Sequence, residues 1–317
     1  MTNQDPVQEF HDDRDLYGIA TWEPRTSLDA AATALHRLLR LGIRALVILV
    51  ALGILVSQIA IGGFALLRDP ALGMLTGLSM LPAFALAGYV WLEDPTLKQP
   101  LPTLVVTFLL GVLLAGFAAM TNTALEPTFR TLPVIGLGLF FFVVVAPVEE
   151  FVKWLAIRLY GYNQPDFQAV IDGAVLGAVA GLGFATIENA LYITNVYLMA
   201  SGTGPAIGTE TLGVTSVRSL AGPGHVIYSS FAGYYLGLAK FNREHAGPIV
   251  VKGLVIAVLI HASYNTAVSY LPEITSFPFP AFLGFVVVFD GVFALLLYRK
   301  LSTYRNAYLE ATARSKA

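Results

Sequence analysis

Eight apolar runs, each near the length needed to cross a bilayer, constrain this chain more than any other feature. They cover about 43–67, 71–92, 102–121, 133–158, 170–199, 217–240, 250–271 and 279–299. A hydrocarbon core about 30 Å thick takes roughly 20 residues as a helix. In lipid each backbone polar group must find its partner within the protein. The expected fold is therefore an all-α polytopic membrane protein with about eight transmembrane helices in one bundle. Composition agrees: 56% of residues are apolar and 13% charged, where a soluble domain has about 25% charged. A net charge of −2 gives no reason to expect a nucleic-acid partner. With no cysteine in the chain, thiolate metal sites and disulfides are excluded, and any metal must be held by His, carboxylate, amide or water.

Lys and Arg placement sets the expected orientation. With the N-terminus inside, all nineteen Lys and Arg except Arg68, Arg130 and Arg218 fall on the inner side, and both termini are cytoplasmic. The chain then divides into a polar cytoplasmic tail (1–37), a transmembrane domain (38–300) and a basic cytoplasmic tail (301–317). The polar start does not read as a signal peptide, and the tail is expected to be partly disordered. The glycine-rich stretch 201–213 reads as an outer connection. Thr121-Asn122 and Glu126-Pro127 are expected to break the third run from the fourth.

Ionisable groups gather in the fourth to seventh runs, and such groups inside a membrane are costly enough to mark a site by default. Pro147-Val148-Glu149-Glu150-Phe151-Val152-Lys153 follows a stretch without charge. One lysine cannot neutralise both carboxylates, and adjacent residues point about 100° apart on a helix. The i,i+4 spacing favours Glu149 as the partner of Lys153, leaving Glu150 freer to act. In the next run Glu188-Asn189 follows Gly177, Gly181 and Ala185, small residues at spacing four that let a neighbouring helix approach. Asp172 reads as an interfacial residue or a cap. Gly222-Pro223-Gly224 predicts a break in the sixth helix, with His225 at that break. His261 and Asn265 share one helix face, and Asn265 could hold the second ring nitrogen of the histidine. Counted from the inner ends, Glu149, Glu150 and His261 lie about 15 Å deep at 1.5 Å per residue. Glu188 comes out higher.

Two histidines and several carboxylates without cysteine suit a hydrolytic metal site of the zinc type, with imidazole and carboxylate ligands around a water. A carboxylate of the 149/150 pair would take the water's proton. His225, His261 and Glu188 would hold the metal, and Asn265 or Asn189 would donate to the tetrahedral oxyanion.

Glu149-Glu150-x-x-Lys153, Gly183-Phe184-Ala185-x-x-Glu188-Asn189, His225 and His261-x-x-x-Asn265 together resemble the motif series of the PrsW family of intramembrane proteases. That family sits in the CAAX-protease and bacteriocin-processing superfamily, whose pattern is Glu-Glu, Phe-x-x-x-His and His-x-x-x-Asn. Phe184-x-x-x-Glu188 looks like the second of these with Glu in place of His. The resemblance covers about 130–270. It implies a multi-pass protein of the cell membrane that cleaves a membrane-anchored protein, for example a signalling regulator such as an anti-sigma factor. It leaves two routes open, one using a divalent metal such as zinc and one in which glutamate alone activates water. Two other classes compete. A proton-coupled transporter would use the same buried Glu and His, but should show paired broken helices in two related halves, and no repeat is visible. A non-catalytic scaffold would keep its function without those side chains.

Overall fold

The computed structural model describes residues 15, 17, 23–94, 98–200 and 208–314. The expected outer connection therefore lies largely outside the described residues, as do most of the first 22 positions. Among the described residues no strand element forms. The helices are α1 (Ser27–Arg68), α2 (Pro70–Leu92), α3 (Leu101–Arg130), α4 (Gly136–Phe140), α5 (Ala146–Leu159), α6 (Val170–Ala200), α7 (Thr209–Phe241), α8 (Ala246–Ile274) and α9 (Phe279–Arg314). A π-helical turn, Phe141–Val145, joins α4 to α5. Pro147 has no N–H to bond back to Val143, so the preceding turn widens. Helix therefore underlies each of the eight apolar runs. Among the described residues, α2, α3, α6, α8 (with the turn at Arg243) and α9 are long and apolar enough to cross a membrane. Three of the eight runs do not meet that measure: the first, where the apolar stretch of α1 is Ala45–Gln58, the Glu-pair segment, which the π turn interrupts, and the run in α7, which carries many polar groups.

Two compact units divide the chain, Met1–Gly53 and Ile54–Ala317. In the first, Asp29 accepts the Thr26 N–H at 2.8 Å and the Thr26 hydroxyl at 2.7 Å, capping the helix start at Ser27. Helix thus begins inside the segment expected to be a polar tail.

In the second unit α6 is the central rod. It is apolar all round, and 89% of its apolar window is buried, against 22% for α9. Its glycines decide the packing. A Cβ on Gly173, Gly177 or Gly181 would stand 2.1, 2.2 or 2.3 Å from the carbonyl oxygens of Gly233, Ser229 and His225. Two backbones therefore touch along this seam, as small residues allow in membranes. The opposite face meets α3, where a Cβ on Gly183 would lie 2.2 Å from the Phe108 carbonyl oxygen. Asp172 accepts the Gln168 and Ala169 N–H groups, each at 2.7 Å, and so caps the start of α6.

Two expected breaks do not occur. α7 runs unbroken from Thr209 to Phe241 with Pro223 inside it. A proline removes one backbone bond, and packing from neighbouring helices maintains the helical path. Gly222 and Gly224 serve close contacts instead: a Cβ at 222 would lie 3.2 Å from Ala83, and one at 224 would lie 2.6 Å from the Tyr228 hydroxyl. α3 likewise continues through Thr121-Asn122 and Pro127 to Arg130.

Candidate active site

Glu149, Glu150 and Lys153 stand on α5 and are all buried. Buried charges are stable only when paired and hydrogen-bonded. Lys153 Nζ lies 2.7 Å from Glu150 Oε1 and 3.9 Å from Glu149 Oε2. This reverses the partner expected from i,i+4 spacing. A partner on another helix accompanies this choice: Nζ also donates to His225 Nδ1 at 2.8 Å. The ammonium sits 4.3 Å over the Phe184 ring as well.

Glu150 is fully engaged. Its Oε1 also faces His261 Nδ1 at 2.9 Å, and its Oε2 accepts from Ser229 Oγ at 3.4 Å. A carboxylate facing an ammonium only accepts, so His261 Nδ1 carries the proton and Nε2 keeps its lone pair. Glu150, not Asn265, thus orients His261. Asn265 lines the same cavity one turn further along α8.

Glu149 is the freer carboxylate. Asn122 donates to Oε1 at 3.0 Å. Oε2 is buried with no hydrogen-bond partner, and it lies 3.7 Å from His261 Nε2. An unpartnered buried acceptor costs about 1–3 kcal/mol, so this atom is set up to meet something mobile.

His225 is bonded on both sides. Because Lys153 can only donate to Nδ1, Nε2 carries the proton and donates to Glu188 Oε2 at 2.9 Å. Glu188 therefore reaches the cluster despite its greater depth in the sequence count. It also pairs with Arg218. Arg218 Nε donates to Asn189 Oδ1 at 2.9 Å. Asn189 is fully buried, and its amide group donates to Ser79 Oγ at 3.2 Å and to the Arg218 carbonyl at 3.1 Å. Asn189 thus braces Arg218 and α2, and its donors do not reach into the cavity.

Among the described residues, Glu149, His225 and His261 form the one group of three whose ligand atoms all lie within 4.8 Å of one another. The expected metal set paired the same histidines with Glu188. Glu149 lies in the close group with the two histidines, and Glu188 touches that group through His225 Nε2 at 2.9 Å. Imidazole, imidazole and carboxylate are the donor types a catalytic zinc takes, and the orphaned Glu149 Oε2 fits such a site. A cavity of about 1230 Å³ opens on these groups, walled by rings such as Phe140 and Phe282.

Sequence reading missed Asn122 and Arg218. By sequence Asn122 belongs to a break just after the third run and Arg218 to the outer end of the sixth, and a polar residue at the end of an apolar run is a weak signal.

A family model described as PrsW family intramembrane metalloprotease matches residues 99–295. The chain is 33% identical over 185 residues to the Protease PrsW of Halalkalibacterium halodurans, covering 58% of this chain and 78% of that one. With the Protease PrsW of Shouchella clausii it shares 30% over 198 residues, covering 60% and 81%. With that of Bacillus subtilis it shares 30% over 207 residues, covering 64% and 87%. No solved structure matches significantly.

Proposed function

The chain belongs to the PrsW family of intramembrane metalloproteases, and from that premise we propose that it hydrolyses peptide bonds of membrane-anchored proteins at the Glu149–His225–His261 cluster. The observation that carries this reading is the convergence of those three groups from α5, α7 and α8, with Glu149 Oε2 unpartnered among them. His225 and His261 would hold a divalent cation, zinc by its donor types, with Glu149 beside it. Such an ion would make water a nucleophile at neutral pH and polarise the scissile carbonyl.

The chain's own groups take the remaining parts. Glu149, held at Oε1 by Asn122, accepts the water's proton on Oε2. Glu150 keeps His261 in the tautomer that presents Nε2. Lys153 neutralises Glu150; Lys153 and Glu188 hold the two nitrogens of His225, and one of these two bonds opens when the ring takes an ion. Asn265 donates to the oxyanion from the cavity wall. The substrate is a single-span protein of the cell membrane, with a signalling regulator such as an anti-sigma factor as the candidate class.

The test is cleavage of a single-span substrate by purified protein and by Glu149→Gln, His225→Ala and His261→Ala variants. Loss in all three is expected, and full activity in all three overturns the reading. A second, metal-independent route is favoured by one observation: both ring nitrogens of His225 are already engaged. Activity that survives exhaustive chelation, with no metal bound, would select that route.

A further inference from the structure

Asp290 is a buried carboxylate in α9, outside every motif that marks the cluster. An ionisable group in a membrane helix calls for a functional explanation. Its Oδ1 accepts from the Tyr228 hydroxyl at 3.2 Å, and its Oδ2 is buried without a partner. Tyr228 is itself buried, and its ring stacks on His261 with centroids 5.3 Å apart and planes at 29°. The His225 ring meets His261 edge-on at 5.2 Å. Gly224 leaves the space for the tyrosine hydroxyl, since a Cβ there would lie 2.6 Å from it.

His261 is therefore held at one nitrogen by Glu150 and across one face by Tyr228. The hydrogen bond to Glu150 fixes one atom and leaves the ring free to tilt about it. The stacked tyrosine removes that freedom, provided its own far end is fixed. We propose that Asp290 is a positioning residue: by anchoring the Tyr228 hydroxyl it clamps the His261 ring so that Nε2 faces Glu149. α9 thereby acts on His261 through Tyr228. The inference rests on the protease reading above.

The experiment measures kcat, KM and Tm for the full chain in detergent, using a single-span substrate. Asp290→Leu is expected to lower kcat about 10-fold or more, the scale of losing an outer partner of a site histidine, with KM within about threefold. Asp290→Asn keeps an acceptor and is expected to recover most of kcat. Tyr228→Phe removes the anchored group and is expected to match Asp290→Leu, and the double variant is expected to be no worse than either single one, because both break one link. Wild-type kcat in Asp290→Leu overturns the proposal. If that variant fails to fold, Tyr228→Phe decides, and wild-type kcat there overturns it. A fall in kcat that tracks Tm without rescue by Asn also overturns it, since that is a packing role. Glu149→Gln in the same assay separates the two claims. If it cleaves like wild type, the placement of the reaction at Glu149 falls and this inference with it. If it is inactive while Asp290→Leu is fully active, only this inference falls.

Discussion

The two adjacent glutamates differ in what surrounds them. Glu150 has Lys153, His261 and Ser229; Glu149 has Asn122 on one oxygen and no hydrogen bond on the other, which Lys153 and His261 approach only to 3.9 and 3.7 Å. Replacing Glu149 with Gln is expected to lower kcat by at least about 100-fold, the contribution of a positioned general base, while leaving Tm near wild type. Replacing Lys153 with Met should act on folding instead. It leaves Glu150 buried without its cation, a loss of about 3–5 kcal/mol for a broken buried pair, and the check is a thermal melt in detergent beside the activity assay. The sequence made the pair visible by its cost in a membrane but ranked the partners wrongly, because spacing along one helix says nothing about the histidine that draws the lysine from another.

At the scale of elements, the seam between α6 and α7 sets the depth of His225. Gly181 lies against the His225 carbonyl itself. A Gly181→Val change must push the helices apart or shift their register, and overpacking of this kind typically costs about 1–3 kcal/mol. Loss of cleavage together with a lowered Tm is expected; unchanged values for both would mean that the seam does not set the site. Pro223 gives the opposite expectation. Since α7 is unbroken there, Pro223→Ala should retain fold and cleavage, and a large loss of activity at unchanged Tm would show that the proline matters to the chemistry. The apolar runs were legible as helices from length alone. Their continuity through Pro127 and Pro223 was not, because the propensity of a tripeptide is outweighed by packing on the faces of the helix.

For the whole molecule, the test is removal of the ion. Under the metal reading, chelation should abolish cleavage, and adding back a divalent cation should restore it, with His225→Ala and His261→Ala holding less metal per chain than wild type. The chain's own pattern determined that it is helical and that it is embedded in a membrane, and it singled out the segments carrying Glu149, Glu188, His225 and His261, whose side chains come together in the fold. Apolar length, the cost of buried charge and the types of donor are properties of residues, so they are readable before folding. Tertiary structure alone decided the remainder: that Glu149 joins the histidines while Glu188 stands behind His225, that Glu150 and not Asn265 orients His261, and that Asn122 and Asp290 belong to the same neighbourhood. These depend on helix rotation and relative depth, and in lipid those are set by close contacts between backbones such as the glycine seam, which link residues far apart in the chain.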